Sequence, residues 1–111
     1  MESDWKKFRA MVPMLRERYL TATNARIMNL FRDPKKTETE HFWDAMEEME
    51  KQAKVLQWCL DGHSRSKMVF FMFTMIRAGM LRKEDLAGFS VELLAQVDHA
   101  FEERPADRSS D

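Results

Sequence analysis

The sequence predicts an all-α protein. Two long helices form an extended stalk, and two or three shorter helices form a small head. Three observations predict this. Three glycines and three prolines in 111 residues are too few for short strands joined by tight turns. Apolar residues recur at spacings of three and four, the period of a helix face. Clear stop and start signals at Asp33-Pro34, Thr37 with Glu40, Asp61-Gly62 and Gly79 cut the chain into helix-length pieces. The length suits one domain over residues 1–103, with stalk helices in 1–60, head helices in 61–103 and a flexible tail over 104–111.

Asp4 is positioned to cap a short first helix carrying Trp5, Phe8, Met11 and Val12. Pro13 either kinks that helix or opens the next at its first turn. From there to Phe31 nothing breaks a helix, and Leu20, Ile27 and Phe31 share a stripe beside Leu15, Tyr19 and Ala22. Asp33 precedes a proline and so avoids the helical region, which ends the run.

Thr37 and Glu40 fit a capping box for the second long helix. Behind them Phe42, Met46, Met49, Ala53, Leu56 and Leu60 follow at spacings of 4, 3, 4, 3 and 4. This is a narrow heptad seam, suited to packing against one helix at a time. A helix inside a monomeric bundle has the same period, so the seam pairs either within one chain or between two.

Charge is unevenly placed although the formal net charge is −1. Residues 1–37 hold nine basic and four acidic side chains, whereas residues 38–50 hold six acidic and no basic ones. Helix-dipole complementarity accounts for Glu38 and Glu40 alone. The other acids form a face that is either solvated or neutralised by a basic helix, and such pairs orient helices more than they stabilise them.

In the second half, Ser64 or Ser66 is a candidate cap for a helix over residues 67–78, whose centre is apolar on every side. Gly79 fits the left-handed position just past its end. After a short turn around residues 83–87, Ser90 caps a last helix with Val91, Leu94, Val97 and Phe101 facing inward.

Most site chemistry is disfavoured. Cys59 and His63 lie four apart with Gly62 between them, and His41, His63 and His99 have no ligand spacing, so no metal site is expected. Cys59 reads as a small buried apolar residue. No phosphate loop or nucleophile elbow is present, and neither an enzyme nor a cofactor is expected. Nucleic acid is disfavoured as a partner, because the basic residues are scattered around the first helices and an acidic helix follows. The longest apolar run, nine residues over 68–76, falls short of the roughly 20 that span a bilayer. With no signal-peptide core and one cysteine, a cytoplasmic protein is expected.

Trp43 is the most informative single residue. Its neighbours along its own face are Glu47, Glu50 and Lys54. It is either a core tryptophan at the end of the stalk or a partner-binding anchor ringed by charge.

The order of these features resembles the cyanobacterial fluorescence recovery protein family over nearly the whole predicted fold. The resemblance rests on Phe42-Trp43 opening the second long helix and on the apolar block over residues 68–76. It continues through Arg77-Ala78-Gly79-Met80-Leu81-Arg82-Lys83-Glu84-Asp85-Leu86, with weaker support from the stretch Leu15 to Leu20. It implies a stalk-forming homodimer without enzymatic activity. Members of that family bind the photoactivated red form of the orange carotenoid protein, chiefly its C-terminal domain, and speed its return to the orange state. Carried over, Trp43 matches the interface tryptophan, Glu47 stands where the family has aspartate, and Phe70 matches a head phenylalanine. Met46 replaces a histidine, Ala53 an arginine with Lys54 beside it, and Gln96 a lysine. An arginine-to-alanine change removes a planar five-donor group, so the resemblance implies a retained scaffold with an altered recognition surface. The implied partner is the orange carotenoid protein or a protein with a related C-terminal domain.

Overall fold

A computed structural model describes residues 2–102; the tail expected over 104–111 lies outside the described residues. Four α-helices run in the order α1 (Glu2–Leu30), α2 (Glu38–Leu60), α3 (Met68–Ala78) and α4 (Val91–Val97), with short 3₁₀ segments before α3, before α4 and after α4. Among the described residues there is no strand, so the fold is all-α. The molecule measures 52 × 29 × 17 Å along its principal axes.

The first helix is one unbroken element, with Pro13 inside it. Proline lacks an N–H and costs about 3 kcal/mol within a helix. Core contacts on either side, from fully buried Phe8 and Leu15, offset that cost, each such side chain contributing roughly 1.5–3 kcal/mol on burial. Asp4 consequently does not cap anything at its own position. It lies inside the first turn, buried, and accepts hydrogen bonds from Ser90 N (2.9 Å) and Ser90 Oγ (2.6 Å). Ser90 Oγ in turn accepts from Leu93 N at 3.2 Å, capping α4 as the sequence predicts. One acid thus fastens the start of α1 to the start of α4.

The turn after α1 leads into the capping box, whose two hydrogen bonds are both formed: Glu40 N donates to Thr37 Oγ1 (3.1 Å) and Thr37 N to Glu40 Oε1 (2.9 Å). His41 closes this turn, with Nε2 2.7 Å from the Asp33 carbonyl oxygen and Nδ1 3.2 Å from Glu38 Oε1. Then α2 runs back antiparallel to α1. Tyr19 donates to Gln52 Oε1, Arg26 Nη2 meets Glu48 Oε2 at 3.5 Å, and Lys36 Nζ meets Asp44 Oδ2 at 2.6 Å. The basic first segment therefore neutralises part of the acidic second helix within one chain.

The core lies where α3 packs on α2, α4 and the first half of α1. Met68, Phe71, Met72, Met75 and Ile76 are buried at the spacing of a broad helical stripe, joined by Trp5, Phe8, Leu15, Met80, Leu81, Leu93 and Val97. At the end of α3, Gly79 sits at φ 79°. Its N–H reaches Ile76 O (3.0 Å) and Met80 N–H reaches Met75 O (2.8 Å), a Schellman closure that folds buried Met80 back onto the helix.

Three local expectations change. Neither Ser64 nor Ser66 caps α3, which is instead preceded by a 3₁₀ turn over Arg65–Lys67 with no side-chain cap. The third helix is not enclosed all round, because Phe70 is 56% exposed. In α4 and the segment after it, Leu94, Val97 and Phe101 pack against the core as expected, but Leu93 is buried as well and Val91 is 78% exposed. That helix is seven residues long, too short for spacing alone to fix which side turns inward.

Candidate interaction surface on the second helix

The second helix presents three distinct faces. The face against α1 carries buried His41, Ala45, Gln52 and Cys59, a set of polar and small residues with the spacing of a seam. The apolar heptad seam lies one residue further along, hence about 100° around the helix. In the hairpin it is uncovered: Phe42, Met46, Met49 and Ala53 are exposed, and only Leu56 and Leu60, nearer the head, pack against the core. Met49, Ala53 and Leu56 meet Leu20 and Ile27 of α1 along a shallow groove of about 210 Å³. The exposed Phe31 continues the apolar character at the end of α1.

The third face carries the predicted partner-binding residues. Trp43 is 61% exposed, in edge-on contact with Phe42 at a ring separation of 5.0 Å. The indole is not a core residue of this chain. Glu47 and Lys54 are exposed on the same face, one and three turns further on. Neither has a salt-bridge partner among the described residues.

Phe70 belongs to a different helix, yet the fold brings it beside the far end of this face. It lines a cleft with Trp58, Phe73, Thr74 and Arg77, and an adjoining cleft holds Lys51, Lys54, Trp58 and Arg77. Lys54 and Phe70 therefore border one continuous depression. Trp43 stands apart from it, with Trp58 fifteen residues further along the helix, a rise of about 22 Å.

Trp58, 67% exposed, is a second surface indole on α2 that the sequence reading did not single out. Its signal was available: fifteen residues beyond Trp43 is close to four helical turns, placing both indoles on one side of α2.

His63 and Cys59 are both engaged by the fold. His63 Nε2 donates to the Cys59 carbonyl oxygen at 2.7 Å, and its ring packs between Phe8 and Phe71. Cys59 Sγ faces the Thr74 carbonyl oxygen at 3.8 Å, and burial pushes its thiol up to about 11. Among the described residues no three His, Cys, Asp or Glu side chains converge as a metal site would require. No helix among them is long and apolar enough to cross a membrane.

Comparison with known proteins finds no matching family model, no matching curated protein and no matching solved structure.

Proposed function

We propose that this chain is a non-enzymatic, protein-binding regulator resembling fluorescence recovery protein, acting as a homodimer whose stalk is built from two α1–α2 hairpins. The observation that carries the reading is the exposure of Trp43 beside an uncovered apolar face. An indole at 61% exposure, followed on the same face by Glu47 and Lys54, has the composition of an interface anchor, an apolar group with charge beside it. Next to it, Phe42, Met46, Met49 and Ala53 offer the apolar stripe on which a second hairpin packs antiparallel. Such a partner speeds a conversion by favouring one docked state over another through differential binding.

The departures at Met46, Ala53 and Gln96 favour a second form of the reading, a helical homodimeric adaptor whose partner is another protein and lies outside photoprotection. Mixing the purified protein with photoactivated orange carotenoid protein and following the orange absorbance separates the two. Faster recovery that Trp43→Ala abolishes, with fold and dimer intact by circular dichroism and light scattering, supports the first form. An unchanged rate removes it and leaves the adaptor. A Trp43→Ala variant that unfolds or becomes monomeric removes the anchor role in either form.

A further inference from the structure

The open apolar stripe of α2 matches its own reverse. Phe42, Met46, Met49 and Ala53 are exposed along one seam, and Phe42 and Ala53 lie equally far from the midpoint between Met46 and Met49. The bulkiest residue of the stripe thus ends it on one side and the smallest on the other, about 16 Å apart along the helix axis. Beside Ala53 the surface is hollow: Leu20 and Ile27 of α1 wall a groove of about 210 Å³ with Met49, Ala53 and Leu56. At the other end Phe42 is 51% exposed, its ring braced edge-on by Trp43 at 5.0 Å. One stripe therefore carries both a knob and a hole. A cavity of roughly 150 Å³ accommodates a benzene ring, so the groove has room for a phenyl group.

We propose that a second copy of the chain docks on this stripe in one register, in which Phe42 of each copy seats in the other's Ala53 groove and Met46 packs on Met49. The proposal rests on the homodimer reading above and specifies how the two copies interlock. A knob and a hole placed symmetrically about one point satisfy a two-fold contact, in which one patch serves both copies. Parallel pairing would set Phe42 on Phe42 and Ala53 on Ala53, crowding one end and leaving both grooves empty. A helix of unrelated sequence has no use for that symmetry, which selects a second copy as the occupant. Phe31, Phe42, Met46 and Met49 are 37–56% exposed, and with the groove rim they offer roughly 500 Å² per copy. The total, about 1,000 Å², reaches the size a specific interface needs. Glu47 and Glu48, level with the two-fold axis, lie more than 90° round the helix from the seam, and Glu48 accepts hydrogen bonds from Gln52 and Arg26 of its own chain.

Mixed cross-linking reads the register. Phe42→Cys chains are combined with tagged Ala53→Cys chains and treated with a short bismaleimide, the wild-type chain with its buried Cys59 serving as the blank. A tagged-to-untagged product is expected from the mixture and little from either variant alone, because like positions stand about 16 Å apart in the antiparallel pair. Sedimentation equilibrium reads the fit. Filling the groove by Ala53→Phe and removing the knob by Phe42→Ala should each weaken the dimer at least roughly tenfold. Both positions are exposed within the single chain, so both variants should fold by circular dichroism. Loss of fold in either would place that residue inside its own hairpin and overturn the assignment. Preferential linkage of Phe42→Cys to itself, or a dimer indifferent to Ala53→Phe, overturns the register and leaves the homodimer reading standing. A wild-type chain that stays monomeric up to its solubility limit overturns both and gives the stripe to a different protein.

Discussion

Arg18 and Asp85 form a two-pronged ion pair that ties the middle of α1 to the turn after α3. Nη1 and Nη2 of Arg18 donate to Asp85 Oδ1 (3.0 Å) and Oδ2 (2.6 Å), and Nη2 also reaches the Met80 carbonyl oxygen (3.1 Å). Asp85 Oδ2 accepts a further bond from Arg82 N at 2.8 Å. The Asp85 side chain is 9% exposed, so this pair is shielded from the solvent screening that makes surface pairs weak.

Burial by itself raises the Asp85 carboxyl, but the Arg18 and Arg82 hydrogen bonds and the Arg18 charge outweigh it and hold the group below its ordinary value. A carboxyl depressed on folding contributes stability that is present above the unfolded value, about 3.9, and lost as pH falls through the folded one. Asp85→Asn is expected to lower stability at neutral pH by about 2 kcal/mol. The deficit should shrink as both proteins approach the acid limb. Urea melts between pH 3 and 7 check this, and a deficit independent of pH would assign the loss to packing.

His41 predicts the opposite pH trend. The Asp33 carbonyl oxygen at one ring nitrogen and the Glu38 carboxylate at the other both accept hydrogen bonds, and together they raise the imidazole above its ordinary value despite partial burial. A raised histidine contributes stability that is fully present below the unfolded value, about 6.5, and lost as pH rises through the folded one. Wild type should therefore exceed His41→Asn in stability most clearly in mild acid, with the gap narrowing above that value. An NMR titration of His41 gives the direct measure, and a midpoint below an unstructured peptide's would contradict it.

Cys59 is expected to be inert while the chain is folded. Burial raises its thiol to about 11, leaving little thiolate near neutrality, and its side chain is covered. Reaction with a disulfide reagent at pH 8 should run at least about 100-fold slower than in urea. Comparable rates in the two conditions would mean that α2 and α3 separate readily.

Boundary signals were legible because they act through adjacent residues. Thr37 with Glu40, Gly79 and Ser90 each specify a local hydrogen-bond pattern, and the structure contains all three. Which face of α2 meets α1 was not legible. The hairpin buries Ala45, Gln52 and His41, whose polarity and small size hide them from any hydrophobic period, and leaves the apolar stripe beside them in view. The methionine excess divides accordingly: Met68, Met72, Met75 and Met80 fill the core, whereas Met46 and Met49 lie on the open face. At the candidate site, Trp43 could be weighed from its charged neighbours along one helix. The Lys54–Trp58–Phe70 depression could not, because it exists only once α3 crosses α2.

The continuity of α1 bears on how the chain can be dissected. A helix of 29 residues is a rod about 43 Å long, and its first half supplies Trp5, Phe8 and Leu15 to the head while its second half is one arm of the hairpin. A cut at residue 60 would strip the head of that wall, so neither fragment is a folding unit. The same rod is a lever. A displacement of the far end of α1, near Leu30, reaches the head through one continuous backbone without crossing a linker, whereas Trp43 on α2 couples to that rod only through hairpin packing and the turn at residues 31–37.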